Sequence, residues 1–140
     1  MKKFFLIIIV CSFFATKGFG QQQPVSENPN APEISFEKIV QDFGTIPLNA
    51  PVEYEFTFTN TGKEPLIILA CHAGCTCTVP ACPREPIPPG EKGSIKVKYT
   101  TTHIPGAFNR PFTIVSNAKN PSVTLTLRGE IVRADEMAAN

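Results

Sequence analysis

The clearest signal in this chain is an apolar–polar alternation of period two. Val52-Glu53-Tyr54-Glu55-Phe56-Thr57-Phe58-Thr59 alternates without a break. In an extended chain, successive side chains point to opposite faces. The pattern therefore predicts a strand with Val52, Tyr54, Phe56 and Phe58 on a buried face and Glu53, Glu55, Thr57 and Thr59 toward water. The same reading turns Ile95, Val97 and Tyr99 inward with Lys96 and Lys98 outward. It turns Val123, Leu125 and Leu127 inward with Thr124, Thr126 and Arg128 outward. Shorter apolar runs at residues 34–36, 39–43, 66–70 and 112–115 are further strand candidates. Asn60-Thr61-Gly62 is read as a turn with positive φ, and Pro89-Gly90 suits the corners of a type II turn. No window of helical length carries a 3.6-residue period.

Short strands separated by turn residues over about 100 positions match an immunoglobulin-like β-sandwich of about seven antiparallel strands. A small closed barrel is the other all-β solution, since closure also removes edge strands. The chain has no Trp, and its cysteines are not the distant pair that pins one sheet of such a sandwich to the other. The core is therefore expected to close through aliphatic, Phe and Tyr side chains.

The ends read differently. Met1-Lys2-Lys3, an apolar run from Phe4 to Phe14 interrupted only by Ser12, and Gly18-Phe19-Gly20 form a secretory leader over residues 1–20, cleaved after Gly20. The apolar run falls short of the roughly 20 residues that span a bilayer, which counts against an uncleaved anchor. Cys11 allows a lipoprotein leader, but Val10 stands where a small residue is wanted. Residues 21–32, rich in Gln, Pro and Asn, are expected to be a disordered spacer. Residues 33–132 form the sandwich domain, and residues 133–140 a polar tail that frays or makes a turn of helix. The chain carries 13 basic and 12 acidic residues; losing Lys2, Lys3 and Lys17 with the leader leaves a mature charge of about −2. Neither sign dominates, so nucleic acid is not an expected partner, and no membrane span is expected after cleavage. The product is expected to be exported, to the periplasm or beyond.

Every cysteine but Cys11 falls within Cys71-His72-Ala73-Gly74-Cys75-Thr76-Cys77-Thr78-Val79-Pro80-Ala81-Cys82. In an oxidising compartment the first reading is two inert disulfides among Cys71, Cys75, Cys77 and Cys82, with three possible pairings. Pairing 71 with 82 and 75 with 77 is disfavoured, because residues two apart in an extended strand have Cα atoms about 6.5 Å apart. The expectation is 71–75 with 77–82, or 71–77 with 75–82. A second reading makes Cys71, His72, Cys75, Cys77 and Cys82 soft ligands for Zn²⁺ or Cu(I), although the spacing is not that of a zinc knuckle. A third makes Cys75-Thr76-Cys77 a redox pair with His72 tuning a neighbouring thiol. No helix start follows the motif to activate such a thiol.

Four landmarks stand in a telling order: Asp42-Phe43-Gly44-Thr45-Ile46, Phe58-Thr59-Asn60-Thr61-Gly62, Gly74-Cys75-Thr76-Cys77-Thr78-Val79-Pro80 and Pro86-Ile87-Pro88-Pro89-Gly90-Glu91. Gly106-Ala107-Phe108 and Ile114-Val115-Ser116-Asn117 follow. Together they resemble the bacterial exported domain-of-unknown-function family 1573, over roughly residues 36–131. The resemblance implies an immunoglobulin-like domain similar to the Hydin and major-sperm-protein type, with no established enzymatic activity. The family's usual signature is a Cys-Gly-Cys-Thr segment, whose cysteines Cys75 and Cys77 match. Thr76 replaces the central Gly, and Cys71 and Cys82 flank the motif as additions. Four cysteines permit complete pairing, which counts against a role for a free Cys-Gly-Cys dithiol.

Other constellations read blandly. Glu53 and Glu55 on an alternating face are solvated, Lys92, Lys96, Lys98 and Arg84 are read as edge-strand protection, and His103 is a loop residue. No GxSxG, Walker-type, HExxH or calcium-loop motif is present. The expectation is a non-enzymatic exported domain with no catalytic residue and no cofactor, binding a protein or envelope component through loops or an edge strand. The competing class is a metal-binding or thiol-redox accessory protein acting through residues 71–82.

Overall fold

A computed structural model describes residues 28–138 of the chain. The leader, Cys11 and the spacer up to residue 27 lie outside them. The described residues form β1 (Ile34–Phe36), β2 (Val40–Pro47), β3 (Val52–Asn60), β4 (Ile68–Ala73), β5 (Thr78–Ala81), β6 (Lys92–Tyr99), β7 (Gly106–Ser116), β8 (Ser122–Val132) and a single helical turn, α1 (Ala134–Met137). Two four-stranded sheets result, ordered β1-β3-β6-β5 and β2-β8-β7-β4. This is the strand distribution of an immunoglobulin-like sandwich. β1 and β2 are its first strand, split where the chain steps from one sheet to the other. The step accounts for an eighth strand, and for the parallel pairing of β2 with β8 in a fold otherwise antiparallel.

The alternation sorts as the physics requires. Val52, Phe56 and Phe58 of β3, Ile95, Val97 and Tyr99 of β6, and Leu125 and Leu127 of β8 are all buried. Phe56 reaches across the gap between the sheets to Phe112 of β7, with ring centroids 5.8 Å apart in an edge-on arrangement. The polar faces pair across strands: Glu53 lies opposite Lys98 and Glu55 opposite Lys96. Lys98 meets Glu53 at 3.0 Å and Lys92 meets Glu37 at 2.6 Å, both in water. The lysines therefore do not guard an edge, as the sequence suggested. They sit on β6, an interior strand, where Lys98 pairs with Glu53 of β3 and Lys92 with Glu37, just past β1.

Two turn expectations come out differently. Gly90 has φ +78°, and the N–H of Glu91 donates to the Pro88 carbonyl at 3.1 Å, giving the type II turn at Pro89-Gly90. Gly62 does not adopt positive φ. Its role is close approach: a Cβ there would stand 2.5 Å from both the Ala31 oxygen and the Pro32 Cα. Asn60 is a fully buried polar hub. Its amide donates to the carbonyls of Glu64 at 2.8 Å and Ile87 at 3.0 Å, and its Oδ1 accepts from the N–H of Gly62 at 3.1 Å.

The chain crossing Gly62 is the end of the expected spacer, and it is not loose. Ala31 N–H bonds Asn28 O at 3.0 Å, Lys63 N–H bonds Asn30 O at 3.2 Å, and Lys119 N–H bonds Pro32 O at 2.8 Å. These backbone hydrogen bonds, together with the burial of Pro32, hold residues 28–32 to the sandwich.

Candidate functional site: the cysteine crossover between the sheets

β4 is an edge of one sheet and β5 an edge of the other, so residues 74–77 must carry the chain from sheet to sheet. Cys71 faces inward beside Ile114, its register partner on β7. A disulfide joins Cys71 to Cys82, which follows β5, with Cα atoms 6.6 Å apart. The bond thus ties the two sheets together along an otherwise open flank. Its loop is short, and on the chain-entropy account such a link contributes about 3 kcal/mol.

Inside that loop, Cys75 pairs with Cys77. This corrects the expected pairing. The backbone here is not an extended strand: the Thr78 N–H donates to the Cys75 carbonyl at 3.3 Å and closes a β-turn over residues 75–78. The turn brings the two Cα atoms to 5.2 Å, inside the usual disulfide range. The far side of the turn is fastened just past the end of β6, where Thr100 N–H donates to the Cys77 carbonyl at 2.8 Å.

Thr78 was missed by sequence reasoning and is central here. It is buried at 4% exposure, and its hydroxyl lies 3.8 Å from Cys75 Sγ and 4.0 Å from Cys77 Sγ. Tyr99 is its cross-strand partner on β6. Over the Tyr99 ring lies the guanidinium of Arg110, 5.1 Å from the centroid, donating to the Tyr99 hydroxyl at 3.2 Å. Arg110 shares the inward face of β7 with Phe108 and Phe112, and its buried Nε has no hydrogen-bond partner among the described residues. Asn109-Arg110-Pro111 looks like turn composition in the sequence; only the pairing of β7 with β8 along their whole length reveals a strand there.

The other candidates scatter. His72 is exposed, on the face of β4 opposite Cys71, and His103 and Arg84 are exposed in loops. Four sulfurs joined in two bonds leave no thiolate for an ion in this form, and no group of three or more metal-ligating side chains occurs among the described residues. Glu53, Glu55, Lys96, Lys98 and Val79 line an open depression of about 510 Å³ on the outer sheet face. It is a charged surface and not an enclosed cavity. Asp42, at the β2 bulge, has its carboxyl held below the usual range by the Gly44 N–H and then by the Arg128 guanidinium.

The four edges are not equivalent. Asn120 covers β1, accepting from Ile34 N–H at 3.2 Å and donating to Ile34 O at 2.8 Å. β2 is broken by its bulge, where Asp42 accepts from Gly44 N–H at 2.8 Å. In β5 the outward positions are Thr78, whose N–H is spent in the turn, and Pro80, which has none. β4 is the exception. On β7 the Asn117 N–H bonds Ile67 O while the Ser116 N–H bonds Pro121 O, so alternation along β7 turns Val115 and Thr113 toward β4; their partners Ala70 and His72 take those bonds, and past the register break the N–H and C=O of Cys71 and Ala73 are left on the free edge. No described residue takes them up. Beside them stand Ile67 at 37% and Leu69 at 62% exposure, Leu69 at a break in register with β7.

The comparisons with known proteins agree with this architecture. The family model described as protein of unknown function (DUF1573) matches residues 34–131. A protein of unknown function from Porphyromonas gingivalis W83 is similar in structure with a TM-score of 0.64 at 13% identity, over 73% of this chain and 48% of that one. This chain thus spans about half its length. The ASH/PapD-like domain 7 of human CEP192 is similar at TM-score 0.57 and 12% identity, over 76% of this chain and 89% of that one. Part of the Vibrio cholerae protease VesB is similar at TM-score 0.56 and 18% identity, over 71% of this chain and 31% of that one. At such identities the likeness is one of fold. No curated protein matches the chain in sequence.

Proposed function

Because this chain belongs to the DUF1573 family, whose description assigns no activity, we propose a function from the geometry: an exported interaction domain that acts by binding rather than catalysis. It captures an extended segment of a partner protein along the β4 edge. The observation that carries this reading is the contrast among edges. β1, β2 and β5 are each blunted by a side chain, a bulge or a proline, while β4 presents the backbone groups of Cys71 and Ala73 beside exposed Ile67 and Leu69. An added strand gains main-chain hydrogen bonds there and an apolar anchor at Leu69. The Cys71–Cys82 bond supports the reading by fixing the edge in place. Two disulfides are consistent with export, and no helix among the described residues is long and apolar enough to cross a membrane.

A photo-crosslinking residue at Leu69 in the native host tests this, with Thr124 on the outer face of β8 as control. The expected result is a discrete adduct from position 69 and none from 124. Ala73→Pro, which removes an outward N–H and no ladder bond, is expected to abolish that adduct. Equal labelling from both positions, or full labelling in the proline variant, would count against edge capture.

A further inference from the structure

The two disulfides are nested, and this gives them different jobs. Cys71–Cys82 encloses Cys75–Cys77 and clamps β4, at Cys71, to the residue that follows β5. Opening the inner bond frees only a four-residue crossover whose flanking strands stay tied by the outer one, and on the chain-entropy account the smaller loop contributes less. The surroundings of the inner bond also suit chemistry. Cys75 and Cys77 are partly exposed, Thr76 is exposed, and a Cβ added at the neighbouring Gly74 would meet nothing within 4 Å. A reactant therefore has room to approach. Behind the bond, the buried Thr78 hydroxyl stands within 4.0 Å of both sulfurs. The Arg110 cation lies over Tyr99, the ladder partner of Thr78.

We infer that Cys75–Cys77 is a thiol–disulfide exchange site that accepts two electrons from a dithiol of another exported protein, while Cys71–Cys82 stays closed. A thiolate of the partner attacks one sulfur, forming a mixed disulfide. The Cys75–Cys77 bond breaks, and its electron pair leaves on the other sulfur, which the Thr78 O–H receives as a hydrogen-bond donor. The partner's second thiolate then attacks its own sulfur in the mixed disulfide and releases the remaining cysteine. The partner dithiol ends as a disulfide, and Cys75 and Cys77 end as thiols carrying its two protons. A more oxidising protein disulfide runs the exchange in reverse. Thr78 is a positioning residue in this scheme, and the inference stands independently of what binds β4.

The test uses the mature protein purified without reductant and equilibrated in graded mixtures of reduced and oxidised glutathione. Thiols are trapped by alkylation and located by fragmentation mass spectrometry. The expected result is a range of buffers in which Cys75 and Cys77 are alkylated, Cys71 and Cys82 are not, and the thermal melt is retained. In that range a reduced dithiol peptide should be oxidised, one disulfide per chain. Alkylation of all four cysteines together, or of none until denaturant is added, would overturn the inference. Thr78→Val should slow alkylation of the reduced pair at neutral pH by about threefold or more and raise the pH at which it becomes fast. An unchanged pH profile would remove Thr78 from the site. A Cys75→Ser/Cys77→Ser variant should fold and lose the exchange; if the peptide is still oxidised by it, the site lies elsewhere.

Discussion

Phe56→Ala is expected to lower the unfolding free energy by about 3 to 5 kcal/mol, the range for deleting a large buried aromatic side chain. Phe56 is 1% exposed and packs between Tyr54 of its own strand, at a centroid distance of 4.8 Å, and Phe112 of the opposite sheet, at 5.8 Å. Removing the ring leaves a void between sheets whose separation is fixed by their other side chains, so collapse around it is limited. Thr57→Ala, one residue along, points to the other face and should cost about 0.5 kcal/mol or less. Denaturant melts of the two variants measure the difference directly. Equal losses would mean that β3 does not carry the register that places β1 and β6 on either side of it.

Asn60→Ala is expected to cost about 3 to 4 kcal/mol, close to the aromatic deletion although it removes far less volume. The side chain is fully buried, and its amide and oxygen together serve backbone groups of Gly62, Glu64 and Ile87. Truncation strands the buried Ile87 carbonyl together with the part-buried Glu64 carbonyl and Gly62 N–H. Each costs about 1 to 3 kcal/mol when left unpaired, less where water can enter. Asn60→Asp is the sharper variant. It keeps the shape but turns a carboxylate toward the carbonyls of Glu64 and Ile87, so at neutral pH it should be at least as destabilising as alanine and recover as the carboxylate is protonated. Melts across pH check this. A loss below about 1 kcal/mol in both variants would mean that these carbonyls find other donors.

Such a hub was invisible in the sequence because Asn-Thr-Gly is ordinary turn composition, and nothing local says that residues 28–33 will be laid across Gly62. The period-two runs were legible because one buried face imposes strict alternation, and they placed β3, β6 and β8 with their faces the right way round. Strand order is a different kind of fact. Lys96 and Lys98 look like edge protection until β6 is known to lie between β3 and β5. The Cys75–Cys77 pairing was misjudged for a related reason: a residue spacing acquires a distance only once the backbone conformation is known, and here the conformation is a turn. β5 escaped notice because four residues containing a proline, set among cysteines, carry too little pattern to register as a strand.

The nested pairing organises the whole candidate site, clamping the β4 edge with one bond and leaving the other partly exposed in the crossover. It is tested most directly by mapping the disulfides of the mature protein, recovered from the exported fraction without reductant, through partial reduction, differential alkylation and fragmentation mass spectrometry. The account predicts a chain that begins at Gln21, links Cys71 to Cys82 and Cys75 to Cys77, and releases the inner pair first on reduction. Links from Cys71 to Cys75 and from Cys77 to Cys82, or four free thiols holding a metal ion, would contradict it.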